Sequence, residues 1–476
     1  MKQWLTGLGA ISLIGVATLA QSAEVAQTAV TRAGAVIDAV AEAYGGAEAL
    51  ANLESIIQKS QTQTLAVNQS LRPDPPWDQG HNSTFNAIDL AGQRFVTRNQ
   101  GEGGGFVFDG GTIINGDDSF QVNYRAKTAT PIAQPDFDTA AGPFIRVTGL
   151  LLARQLLDRR QMTLWLGEES IDGRSHDVLG LVMAAGPALS LYIDQDSRLI
   201  NRAVRVLPPF GEVGYRFSDY QRIDGYMVNQ AFELTINDDR NLTIEIESTR
   251  INQPLDDYLS VAADLQRQQP LQPDPLSVQQ LADGVYLAGG AGTYALFVEM
   301  DDHIIAVGGT AGIPDRIAAV REQLGDKPIR YGVLTHHHND HLLGVAAYAA
   351  EQATIVTVPE HEAIVRRTAG DADVDLMLVQ GRHVFDDGQR RLELHDIGPT
   401  PHSEHLLVAY LPAEGILFEA DHFPQPRVGP LPPPNPVTLA LIEAVKSKGL
   451  AVKQVVGAHS PRISTGAEMM ALGKGR

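Results

Sequence analysis

The run Gln266–Pro275, Gln-Arg-Gln-Gln-Pro-Leu-Gln-Pro-Asp-Pro, constrains the fold of this chain more than any other feature. Three prolines in a polar stretch can enter neither a helix interior nor a central strand, because each removes an amide donor and fixes φ. Residues 266–277 therefore read as a linker. With 476 residues, 43% of them hydrophobic, the chain has enough apolar mass to build a core on each side of it.

The two sides differ in texture. In residues 24–265, Val36, Ile37, Val40 and Ala43 recur at helical spacing before Gly45-Gly46, and a second short helix is expected over Ala47–Leu53. From Ser55 to about Leu259, short alternating runs such as Arg94–Thr97, Leu189–Ile193 and Leu242–Ile246 are separated by Gly, Asp and Asn turns. This predicts antiparallel sheet, interrupted by a helix over Val147–Leu157. In residues 278–476, strands at Tyr294–Val298, Ile304–Val307 and Thr354–Val358 alternate with helical patterns at Ile313–Leu324, Leu343–Ala350 and Val437–Lys446, which predicts sheets covered by helices. The overall class is α+β, a mainly antiparallel β domain with a few helices followed by an α/β unit, and no internal repeat is found.

Residues 1–23 carry the uncharged apolar run Leu5–Ala20 ending in small residues, the pattern of a secretory signal peptide cleaved near Ser22 or Ala23. That run is shorter than the ~20 residues a membrane-spanning helix needs, and no later segment is a candidate span, so a periplasmic or secreted protein without a transmembrane segment is expected. There are no cysteines, hence no disulfide and no acylated N-terminal cysteine, and any metal ligands must be His and carboxylate. A net charge of −20 without a basic cluster disfavours a nucleic-acid partner and leaves a small molecule as the expected substrate.

Eleven of the fourteen histidines lie between His336 and His459. The informative part is the spacing His336-x-His338-x-Asp340-His341, directly after the apolar run Tyr331–Thr335. Where a strand opens into a tight loop, alternate residues face one way, so His336 and His338 can hold one cation while Asp340 and His341 reach a second; imidazole and carboxylate are ligands that suit zinc. Three further segments bring similar groups. Gly398–Ser403 places His402 on a turn before the strand Leu406–Tyr410, Ile416–Asp421 ends an apolar strand in a carboxylate, and Val455–His459 delivers a histidine from a strand end.

In order and setting these residues resemble the metallo-β-lactamase superfamily, over about Val278–Ser460. The resemblance implies an αββα sandwich in residues 278–476 and two zinc ions per chain, with iron or manganese as alternatives. It assigns His336, His338 and His402 to the first cation, Asp340, His341 and His459 to the second, and Asp421 to a bridge between them. Two cations sharing a water would lower its pKa towards neutrality for attack on an ester, thioester, lactone or similar bond, with Asp340 orienting the nucleophile as well as ligating.

The chain departs from the pattern at Gly308-Gly309, where many relatives carry an Asp that supports the metal loop, so support must come from elsewhere. Asp421 resembles the lactonases, thioesterases and phosphodiesterases of the superfamily rather than its common β-lactamases. His422 and His405, each beside a ligand segment, are candidates to serve the leaving group or to stand behind the ligands; Tyr294 is a weaker candidate that reads as core. His337, between two ligands, should point away, and His361, His383 and His395 lack a spacing partner. Residues 289–294, 366–378 and 425–435 are expected to shape the substrate pocket, with the proline-rich Pro424–Pro436 as one wall.

The N-terminal helix turn, long antiparallel run and closing Ser248–Tyr258 segment resemble periplasmic lipoprotein-carrier domains, which implies an apolar ligand or an envelope component as partner. Two other readings stay open: a mononuclear iron sulfur dioxygenase on the same scaffold, and a non-catalytic envelope carrier.

Overall fold

The computed structural model describes residues 28–208 and 211–474, so the expected signal peptide lies outside the described residues. Among those described, no helix is long and apolar enough to cross a membrane.

Residues 55–267 build one fourteen-stranded sheet. A meander from Ser55–Leu65 to Thr128–Pro131 forms one wing, and a second, from Leu164–Ile171 to Asp239–Ile251, forms the other. They join where Ser55–Leu65 pairs antiparallel with Asp239–Ile251. The alternation in the sequence is the cause: Ile56, Ile88, Phe95 and Ile251 face one side, where the helix over residues 28–43 and the helices Phe137–Arg146 and Gly149–Asp158 pack on them. Ile57, Ala87, Val96 and Phe120 face the other, covered by Leu255 and Leu259 of the returning chain. Tyr44, Ile37, Leu50 and Leu150 fill the helix-covered face as a solid core.

The helix expected over Val147–Leu157 is present as Gly149–Asp158, and a second, unexpected helix, Phe137–Arg146, precedes it, the two separated at Val147 and Thr148, Thr148 with φ −118° and ψ 104°. Asp136 caps Phe137–Arg146 by accepting from the Thr139 amide. The short helix expected to Leu53 stops at Ala51.

The proline-rich run is not a free tether. Gln266–Arg267 adds a short parallel strand beside Thr128–Pro131, and Asp274 accepts hydrogen bonds from the Tyr294 hydroxyl and the Gly292 amide. Beyond it, residues 277–378 form a seven-stranded sheet and residues 382–465 a six-stranded one. Val298, Val307 and Val333 of the first sheet share a core cluster with Leu394, Ala409 and Phe418 of the second. Ile317 and Val345, from helices Ile313–Leu324 and Val345–Ala350, pack with Phe297 and Ile304. Leu441 and Met469, from helices Pro436–Ser447 and Gly466–Leu472, pack with Val408 and Leu417. The helices and strands expected in this half are present with ends shifted by a residue or two.

Candidate metal centre

The strand Ile329–Val333 lies inside the seven-stranded sheet, paired on both edges, and its end runs into a loop with a tight turn at Asn339–His341. The expected segments of the six-stranded sheet meet this loop at one edge. The Leu407 amide donates to the Thr335 carbonyl at 2.8 Å, and the Tyr294 amide to the Ala458 carbonyl at 2.8 Å.

All seven expected ligands converge there. One group contains His336, His338, His402 and Asp421, the other Asp340, His341 and His459, with donor atoms inside each group within 4.8 Å of one another. Asp421 sits between the groups. Its Oδ2 lies 3.2 Å from His336 Nε2, 2.8 Å from His341 Nε2 and 3.2 Å from His402 Nε2, while Oδ1 lies 2.8 Å from His459 Nε2. Asp340 Oδ2 is 3.4 Å from His341 Nε2. Two ligands about 2.1 Å from one tetrahedral zinc stand roughly 3.4 Å apart, so these groups are close enough to share a cation. Asp421 adopts a left-handed backbone with φ 66°, a conformation Asp tolerates better than most side chains and one that concentrates at functional sites.

The imidazoles have the burial and protonation that metal ligation needs. His336, His338 and His341 are fully buried, and the buried Nδ1 atoms of His338 and His341 have no hydrogen-bond partner. Burial, reinforced by neighbouring histidines, holds His336 and His338 well below the usual histidine pKa, and neutral imidazole is the ligating form. Burial alone would raise the Asp421 pKa, but His341 and hydrogen bonds to His336, His341 and His402 hold it well below the carboxylate range. Burial pulls His459 down, yet Asp421 and Asp340 outweigh it and raise its pKa. The donor set of neutral imidazoles and ionised carboxylate fits zinc.

Support for these rings comes from the N-terminal sheet, and sequence reasoning missed it. His338 Nε2–H donates to the Ser70 carbonyl at 3.0 Å, and His402 Nδ1–H to the Gly104 carbonyl at 2.9 Å. A carbonyl only accepts, so each contact fixes the tautomer and frees the other nitrogen. Gln69 Nε2 donates to Asp340 Oδ1 at 2.9 Å, and the Phe106 ring stands edge-on to His402 at 5.4 Å. The one signal in the sequence was the glycine-rich run 101–105. A Cβ on Gly105, which has φ 80°, would lie 2.5 Å from Val437 Cγ1, so the turn can approach only as glycine. At Gly308-Gly309 a Cβ on Gly309 would collide with the His341 carbonyl, and the Tyr348 hydroxyl donates to the Gly308 carbonyl. The loop bearing His341 thus packs directly on the glycine pair.

The lesser candidates stand apart from the ligand atoms. His422 is buried and bonds Thr400 Oγ1 at 3.0 Å, with its ring 5.6 Å from that of His402; burial lowers its pKa to about 4. His405 pairs with Asp396 at 2.7 Å. Tyr294 is buried, and its hydroxyl holds Asp274 at 2.6 Å, so it fastens the linker. His337 points away, donating to the Ser70 carbonyl at 2.9 Å. His361 packs against His337, His395 bonds Glu393, and His383 packs on Phe385.

Asp421 and His459 border a cavity of about 170 Å³ shared with Phe106, Pro424 and Gln425. A groove of about 340 Å³, lined by Asn123, Thr128, Val428 and Pro432 among others, adjoins it through Pro424, Gln425 and His459. Residues 424–432 thus line the cleft. Residues 289–294 and 366–378 line neither cavity, the first being a tight strand turn braced by Asp274 and the second packing Val374 under the helices.

The family described as the metallo-beta-lactamase superfamily matches residues 289–459. Among solved structures, a metallo-beta-lactamase from Pontibacter korlensis is 19% identical over 42% of this chain and 100% of its own, with a TM-score of 0.35. The mono-zinc form of metallo-beta-lactamase FIM-1 from Pseudomonas aeruginosa is 22% identical over 43% of this chain and 96% of its own, with a TM-score of 0.34. One from Hirschia baltica is 17% identical over 42% and 96%, with a TM-score of 0.34. No curated protein matches the chain.

Proposed function

Starting from a C-terminal domain of the metallo-beta-lactamase superfamily at residues 289–459, we propose that this chain is an exported hydrolase of small-molecule esters, thioesters or lactones that works with two zinc ions. The observation that carries this reading is the convergence of seven His and Asp side chains from four segments on the shared carboxylate of Asp421. His336, His338 and His402 would hold one cation, Asp340, His341 and His459 the other, with Asp421 between them. The layering of helices on two facing sheets is read as the αββα sandwich of the superfamily.

Bound cations would supply positive charge that polarises a carbonyl and acidifies water. The remaining work falls to the chain. Asp340 Oδ1 is held by Gln69, which leaves Oδ2 beside His341 to take a proton from attacking water and return it to the departing heteroatom as the acyl bond breaks. Phe106, Phe423 and Pro424 exclude water from one side of the cleft. Lys and Arg are absent among the residues lining the two cavities, which favours an uncharged substrate over a phosphate or polyanion.

Elemental analysis of the full chain purified without chelators, paired with a screen of lactones, esters and thioesters, tests the reading. About two zinc ions per chain and chelator-sensitive hydrolysis are expected. One iron would shift the assignment to a sulfur dioxygenase, and no metal would leave a carrier as the better account.

A further inference from the structure

We propose that two loops of the N-terminal sheet are working parts of the metal centre, and that Gln69 is the positioning residue for Asp340; this rests on the dinuclear reading above.

The first loop, residues 66–78, joins the strands Ser55–Leu65 and Gln79–Asp89. The second, Gly104-Gly105, is the turn between Arg94–Gly103 and Phe106–Ile114. Both are hairpin tips of a sheet whose core lies elsewhere, yet they reach across to the ligand-bearing loops. The first gives the Ser70 carbonyl to His338 and the Gln69 amide to Asp340. The second gives the Gly104 carbonyl to His402. Two ligands of the first cation and one of the second therefore take their outer hydrogen bonds from outside the metallo-beta-lactamase region.

The first loop is braced by its own hydrogen bonds. Ser70 Oγ donates to the Ala66 carbonyl at 2.8 Å and accepts from the Asp78 amide at 2.8 Å, while Asp78 Oδ2 accepts from the Leu71 amide at 2.7 Å. It is also pinned to both ligand loops, the Asn339 amide donating to the Asn68 carbonyl at 3.2 Å and the Glu404 amide to the Leu71 carbonyl at 2.9 Å. Preformed acceptors of this kind orient an imidazole and raise its basicity, and their loss weakens metal binding by roughly 10- to 100-fold. Linkage is reciprocal: if docking of the N-terminal sheet strengthens metal binding, bound metal strengthens the docking.

Chelator competition on the full chain decides the matter, reading zinc affinity at each site, with the visible spectrum of the cobalt(II)-loaded protein as a second readout. Gln69→Met keeps length and removes the donor; it should weaken the second cation by about 10-fold, leave the first unchanged and shift the cobalt bands. Gly105→Val, which pushes the second turn off Val437, should instead weaken the first cation by about 10-fold or more. Thermal unfolding of the metal-free variants identifies any that fail to fold, and Phe106→Ala then replaces Gly105→Val as the probe of that turn. Wild-type affinities at both sites in the folded variants would overturn the proposal while leaving the hydrolase reading intact. A wild-type chain that takes up no zinc would overturn both.

Discussion

The guanidinium of Arg125 donates to Oδ1 of Asn435 at 2.5 Å, joining the N-terminal sheet to the end of the proline-rich segment. The same oxygen accepts from the Val107 amide at 3.0 Å, and Arg125 also reaches the carbonyls of Val107, Pro433 and Pro434. One cation thus satisfies several main-chain acceptors on two facing walls. Asn435 is buried, so these bonds replace water it has lost.

Arg125→Ala should therefore free the proline-rich segment at a cost of about 1–2 kcal/mol, with zinc content unchanged. Limited proteolysis within residues 424–436 should accelerate several-fold. Wild-type cleavage rates would show that the proline segment holds itself.

The prolines contribute stiffness of their own. Replacing Pro432, Pro433 and Pro434 with Gly enlarges the unfolded ensemble by roughly 0.4–1 kcal/mol per site and softens a wall of the groove. Substrate KM should rise with metal content unchanged; unaltered kinetics on every substrate would remove this segment from the cleft.

His338→Ala tests the ligand assignment. It removes an imidazole whose Nδ1 is buried without a partner, so the first cation should be lost and hydrolysis abolished. The N-terminal sheet should keep its fold, because the Ser70 carbonyl still receives His337. Retained zinc stoichiometry and activity would overturn the assignment.

The expected ligands were legible because each is a polar side chain on a turn beside an apolar strand or at its end, and His336, His338, Asp340 and His341 keep a spacing that few other tasks need. Ser70 and Gly104 were not, since they act through main-chain carbonyls that every residue type carries. Nothing in the sequence pairs Gln69 with Asn339 and Asp340, which its side chain meets across 270 and 271 positions. The helix Phe137–Arg146 was hidden by Gly142-Pro143, a pair that local propensity reads as a break and that the buried contacts of Phe144 and Ile145 override. The proline-rich run was visible in composition, but its strand pairing at Gln266–Arg267 depends on where the neighbouring edge ends.

His361 yields a prediction about acid stability. Its side chain is buried, its Nδ1 has no partner, and its ring packs 4.9 Å from that of His337. Burial first, and then His337 and His405, hold its pKa well below the usual histidine value, so the folded chain keeps it neutral. An unfolded chain takes up that proton below about pH 6.5. The stabilisation is therefore complete above about pH 6.5 and declines as pH falls, by at most about 1.4 kcal/mol per pH unit, until the folded pKa is passed. Urea unfolding of the metal-free wild type and of His361→Leu at pH 7 and pH 5 isolates this share. The variant should lose less stability than wild type between the two pH values, by at most about 2 kcal/mol. Equal losses would mean that His361 gains its proton within the fold, and that acid sensitivity arises at the other buried histidines.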